Sequence, residues 1–186
     1  MKKSLISLIA LLFSLILVLS GCSSDEGAPD GYKNVATDNE SFRFYVPTTW
    51  VDNTPSGTAS AYYSSDDYSN VSFTCMVIEP GVTDTLETYK ETALKEFAAV
   101  LPEFKEFASE PKLDENGMEI APPTIDGRET LIFEYECTLG EDNYKYKQAV
   151  TMKDDFFYIF TYTSLAENYE KHLADVDQII SYVKFK

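Results

Sequence analysis

Histidine is nearly absent: His172 is the only one in 186 residues. A Ser-His-Asp or Cys-His nucleophile must therefore work through that single imidazole. It stands in the closing segment between Lys171 and the apolar Leu173, where it reads as a solvated helix residue. Cysteine is scarce too, at three residues. Beyond Cys22 the chain has only Cys75, Cys137 and His172, too few for the four Cys and His ligands of a structural zinc site. Basic residues number 15 against 31 acidic ones, a net charge of −16. No cluster of Lys and Arg interrupts this excess, which excludes nucleic-acid partners held through their phosphates. There is no Gly-x-Ser-x-Gly elbow, phosphate loop or dinucleotide fingerprint, and no repeat of solenoid length. Without a catalytic constellation the chain reads as a non-enzyme.

Apolar material is plentiful. Hydrophobic residues make up 44% and aromatics 14%, enough for a packed core. The length fits one leader and one domain.

The first 22 residues carry the most specific signal. Lys2 and Lys3 are followed by Ser4 to Leu19, an uncharged stretch in which 13 of 16 residues are apolar, and then by Leu19-Ser20-Gly21-Cys22. A basic start, a short apolar run and small residues at the cut site describe a secretory signal. The run falls short of the roughly 20 residues of a membrane-spanning helix. With Cys directly after Leu-Ser-Gly, the segment resembles a bacterial lipoprotein signal. That resemblance implies cleavage between Gly21 and Cys22 and diacylglycerol on the Cys22 thiol, with further acylation of the new amino terminus. The expected organisation is a signal peptide over 1–21, a lipidated Cys and flexible tether over 22–31, and one domain over 32–186. Cleavage removes Lys2 and Lys3, so the body would carry −18. Anionic lipid heads repel such a body, and two acyl chains would hold it at the bilayer. The expected location is the extracytoplasmic face of the cell membrane.

Strand patterns dominate the body. Phe42, Phe44 and Val46 alternate before Pro47, and Thr58 to Ser64 is a weaker strand. Val71, Phe73, Cys75 and Val77 share a face of the next one, which Pro80-Gly81 ends. A helix follows, capped by Thr83 or Asp84, with Leu86, Tyr89, Ala93, Leu94, Phe97 and Leu101 at helical spacing, and Pro102 closes it. Glu103 to Pro123 reads as a loop with one or two short strands. Leu131, Phe133, Tyr135, Cys137 and Leu139 alternate next. Tyr144, Tyr146, Gln148, Val150 and Met152 follow, and then Phe156 to Thr163 is apolar on both faces. Short turns make these three strands an antiparallel meander. Ser164 with Glu167 matches a capping box for the last helix, and Tyr182 to Phe185 returns as a short edge strand. The fold class is α+β: a twisted antiparallel sheet covered by two main helices.

This order resembles the PsbP-like fold, an α/β/α sandwich shared by PsbP of photosystem II, DcrB-type proteins and LpqN-type lipoproteins. The resemblance rests on Phe42 to Pro47 with Trp50 shortly after, on Gly127-Arg128, on Tyr146-Lys147-Gln148 with Tyr158 and Thr161, and on Ser164 to Phe185. Thr49 stands where the family often has Gly before the Trp, and nothing matches the metal-retaining N-terminal segment of photosynthetic PsbP. The resemblance implies a non-catalytic binding or accessory role.

Other candidate residues are few. Cys75 and Cys137 both fall on apolar strand faces. In an exported protein they can form a disulfide or remain two buried thiols. Acidic pairs at Asp66-Asp67, Asp114-Glu115, Glu141-Asp142 and Asp154-Asp155 could hold calcium, but they lack calcium-loop spacing and read first as turns. No other cofactor and no protein metal ligands are expected. Trp50, Tyr62, Tyr63 and Tyr68 are the candidates for a ligand groove. The leading expectation is a lipid-anchored accessory module for an envelope protein partner. The alternative is a lipoprotein binding a small molecule or divalent cation.

Overall fold

The computed structural model describes residues 27–38, 40–53, 58–79 and 84–186. The leader with Gly21 and Cys22, the Pro80-Gly81 stop and Thr83 lie outside these residues. In chain order the elements are β1 (Tyr32–Asn34), β2 (Phe42–Arg43), β3 (Tyr45–Pro47), β4 (Val51–Asp52), β5 (Ala59–Tyr62), β6 (Asn70–Val77), α1 (Leu86–Val100), β7 (Lys105–Phe107), β8 (Leu131–Leu139), β9 (Asp142–Lys153) and β10 (Phe156–Leu165). A 3-10 turn (Tyr169–His172), α2 (Leu173–Tyr182) and β11 (Lys184–Phe185) complete it. Among the described residues no helix is long and apolar enough to cross a membrane.

Seven strands pair in the order β4-β5-β6-β10-β9-β8-β7, all antiparallel. The doubly apolar β10 takes the middle position. Phe160 and Tyr162 turn to one face and Phe157 to the other, and all three are fully buried. Asp154 reverses the chain between β9 and β10 at φ +55°, a left-handed conformation that Asp tolerates better than most residues.

Each face carries its own core. On the first face, α2 lays Val176, Ile179 and Ile180 against Phe73 and Phe160, beside Phe42, Phe44, Val46 and Trp50. On the second, α1 sets Tyr89 on Phe157 at 5.0 Å and Phe97 on Tyr135 at 4.9 Å between ring centres. Each fully buried Phe contributes roughly 1.5–3 kcal/mol of transfer free energy.

Several expectations change. The Phe42–Pro47 strand is two strands: β2 pairs with β11 and β3 with β1. The break falls at Phe44, whose N–H donates to the Asn34 side chain (3.0 Å) while its carbonyl accepts from Val35 (2.9 Å). The helix cap is Thr85, not Thr83 or Asp84. Its hydroxyl accepts from the Thr88 N–H, and the Thr88 hydroxyl accepts from the Thr85 N–H. Ser164 caps no helix. It is the penultimate residue of β10, buried against the Ser69 hydroxyl at 2.8 Å, and α2 starts nine residues later. The Cys75–Cys137 bridge is not formed: both thiols are free. Cys75 stands opposite Tyr158 on the first face, whereas Cys137 stands opposite Tyr144 on the second, with β10 and β9 between them. Cys75 is also exposed, because β6 runs out beyond the covering layer.

Candidate functional site

After Phe107 the chain leaves the sheet edge and crosses the first face as a long loop before β8. This loop, β8, β9 and α2 enclose a cleft of about 800 Å³. Its floor is built from buried charge. Glu134 on β8 accepts from the Tyr169 hydroxyl (2.7 Å), the Ser109 hydroxyl (2.9 Å) and the Ser109 N–H (2.8 Å). Beside it in register, Lys147 on β9 donates to Asp177 of α2 at 2.9 Å. Lys112 of the loop reaches the other Asp177 oxygen, tying the loop to α2. Two lysines and two carboxylates thus balance, which makes the burial of Glu134 and Lys147 tolerable. Burial, reinforced by the hydrogen bond to Glu134, holds the Tyr169 hydroxyl far above the ordinary tyrosine range, so it remains a donor.

The wall carries a different cation. The Lys145 ammonium lies 4.8 Å from the Phe107 ring centre and 5.5 Å from that of Tyr169. Among the described residues no carboxylate lies within ion-pair distance of it. Above the cleft the loop doubles back through a Leu113–Glu119 bridge, with Asp114 accepting from the N–H groups of Asn116 and Met118. Leu113, Met118 and Ile120 project from it at 61%, 63% and 50% exposure. The sequence predicts Glu103 to Pro123 as a loop with one or two short strands, and β7 is one such strand. Glu134, Lys147 and Asp177 lie on different elements, and only the sheet register and the seat of α2 bring them together.

The aromatic candidates separate. Trp50 is a core residue, 1% exposed. Its ring packs edge-on against Tyr63 (5.9 Å) and His172 (5.8 Å), and Tyr63 leans over His172 at 4.3 Å. His172 is buried rather than solvated, and its Nε2 lies 3.1 Å from an Asp67 oxygen. It sits at the end of a 3-10 turn that folds inward onto that aromatic pair. Tyr68 is exposed at φ +61°, and Tyr62 turns to the second face of the sheet. Among the acidic pairs, Asp67 bonds His172, Asp114 holds a turn and Asp154 pairs with Lys153 in another. Among the described residues no group of three or more potential metal ligands gathers.

A seven-stranded antiparallel sheet between two helical layers is the PsbP-like fold, and solved structures agree. A cyanobacterial PsbP from Synechocystis superposes with a TM-score of 0.57 over 90% of this chain and 99% of its own, at 12% identity. The protein PA94 of Pseudomonas aeruginosa, of unknown function, matches at 0.50 over 81% and 94%, at 14% identity. The Ran-binding protein Mog1p of Saccharomyces cerevisiae matches at 0.50 over 81% and 91%, at 8% identity. At these identities the likeness is one of fold. No protein-family model matches the chain, and no curated protein is similar to it in sequence.

Proposed function

We propose that this protein is a lipid-anchored, extracytoplasmic, non-catalytic module that binds an envelope protein partner. Leu19-Ser20-Gly21-Cys22 supports the anchor. One observation carries the binding role: the 108–123 loop presents Leu113, Met118 and Ile120 to solvent over a cleft whose floor charges are already paired. Exposed apolar side chains grouped beside a concave surface suit a protein contact. The similarity to a Ran-binding protein and to PsbP is compatible with this role.

Crosslinking in the native membrane followed by mass spectrometry tests it. The expected result is one dominant envelope partner, lost in the double variant Leu113→Asp, Met118→Asp. An undiminished crosslink in that variant would remove the loop from the contact. Cys22→Ala is expected to leave an uncleaved, unlipidated chain, and a normally processed Cys22→Ala protein would refute the anchor. The cleft volume favours a second reading, a small-molecule site, since about 800 Å³ lies within the usual range for one. A ligand-induced rise in melting temperature that Lys145→Ala abolishes would identify it.

A further inference from the structure

The main sheet has a long open edge at β6. β5 pairs with β6 from Asn70 to Phe73 and its pairing ends there, at Ala59. β6 runs on to Val77 with β10 as its only neighbour. Alternation shows which backbone groups face outward. The Ile78 N–H donates to Asp155 on the β10 side (2.9 Å), and the Ser69 carbonyl accepts from Tyr63 on the β5 side (2.9 Å). Successive residues of an antiparallel strand turn their N–H and C=O to opposite neighbours. Beyond Phe73, Cys75 and Val77 therefore present theirs to the open side. Among the described residues neither has a backbone partner there. The side chains are open as well: Cys75 is exposed, Met76 is 43% exposed and Val77 59%. Thr74 to Ile78 holds no charge and no proline, the usual devices that keep a strand edge from pairing.

We propose that this edge pairs antiparallel with the same edge of a second copy of the chain, about a two-fold axis through Met76 and perpendicular to the sheet. The sequence is self-complementary under that operation. Cys75 of each copy stands opposite Val77 of the other, and each such pair exchanges both backbone hydrogen bonds. Met76 meets its own counterpart on the second face, while Cys75 and Val77 meet on the first, so exposed apolar side chains cover one another on both faces. Thr74 meets Ile78. The next position, Phe73, is where β5 begins to cover the edge, so the open stretch and the self-matching stretch coincide. Such an isologous contact closes as a dimer and does not grow into a fibre. The net charge of −16 on each copy opposes approach, but no carboxylate lies in the paired run, and salt screens charges more than about 8–10 Å apart. A contact this short is smaller than a standard stable interface, so the pairing is reversible. The inference does not rest on the proposed partner contact, since the 108–123 loop follows β7 at the other end of the sheet.

Disulfide crosslinking of the full chain in the cells that make it tests the proposal. Met76→Cys is introduced together with Cys75→Ser. Residues directly opposed at the axis lie about 4.5 Å apart between Cα atoms, within reach of a disulfide. Mild oxidation should give a disulfide-linked species of twice the chain mass. Its yield should exceed about tenfold that of Val100→Cys in the same Cys75→Ser background, a position 73% exposed on α1. Val77→Pro, added to the crosslinking variant, should cut the yield about tenfold. It removes an outward N–H that the fold does not use, and proline is tolerated on such an edge. If Val77→Pro does not fold, Val77→Asp, which sets a carboxylate in the paired run at an exposed position, should lower the yield equally. The proposal is overturned if Met76→Cys crosslinks no better than Val100→Cys, or if the folded Val77 variants leave the yield unchanged. It is equally overturned if the disulfide joins the chain to a different protein.

Discussion

At the scale of single residues, Glu134 and Asp67 concentrate the most consequence. Glu134 satisfies the buried Tyr169 hydroxyl and the Ser109 N–H together. Removing it strands both donors, each worth about 1–3 kcal/mol when left unpaired. Glu134→Ala is therefore expected to lose about 3 kcal/mol in urea unfolding, and Glu134→Gln, which keeps an acceptor, clearly less. Equal losses would mean that the carboxylate does not organise the floor. At Asp67, burial alone would raise the carboxyl, but hydrogen bonds from Ser69 and His172 outweigh it and hold the group below its ordinary value. A carboxyl depressed in the folded state stabilises the fold above the unfolded value of 3.8. That contribution is lost as pH falls through the folded value. Between about pH 5 and about pH 3, wild type should lose stability more steeply than Asp67→Asn. Parallel pH profiles would show that the Asp67–His172 contact carries no such linkage. Nothing local in the sequence pointed to this pair, because 105 positions separate its members.

At the scale of elements, periodicity located strands and helices well and their ends less well. The meander β8–β9–β10, the helix closed by Pro102 and the return of β11 were all legible, because alternation and turn residues act locally. The last helix was misplaced because Ser164-Leu165-Ala166-Glu167 has capping-box spacing, yet pairing with β9 continues through Leu165. Ser164 is thereby drawn into the core. The two assignments predict different costs. Glu167→Ala, at an exposed position, should change stability by less than about 0.5 kcal/mol. Ser164→Val, which buries bulk against the Ser69 hydroxyl, should cost well over 1 kcal/mol. A large effect at Glu167 would restore the capping box. At α1, Thr85→Ala should cost about 1 kcal/mol, while Asp84→Ala should have little effect.

At the scale of the whole molecule, the two sheet faces decide what the cysteines can do. Cys75 and Cys137 lie on opposite faces, so no side-chain adjustment joins them, and burial raises both thiols above their ordinary value. Unfolding the protein without reductant should leave both Cys75 and Cys137 titratable. In the native protein Cys75 should react first, since Cys137 is 2% exposed. Finding no free thiols would contradict the sheet order itself.

The amino-acid order by itself determined the excess of acid, the α+β class and the PsbP-like succession of elements. These follow from local chemistry: apolar runs, alternation and turn residues. Only the tertiary structure decided that His172 is buried against Asp67, that Trp50 belongs to the core, and that Glu134, Lys147 and Asp177 form one floor. It also decided that Tyr62 and Tyr146 share a row. Such groupings depend on strand register and on which face a helix covers, and register in a long-range sheet comes from the packing of the whole.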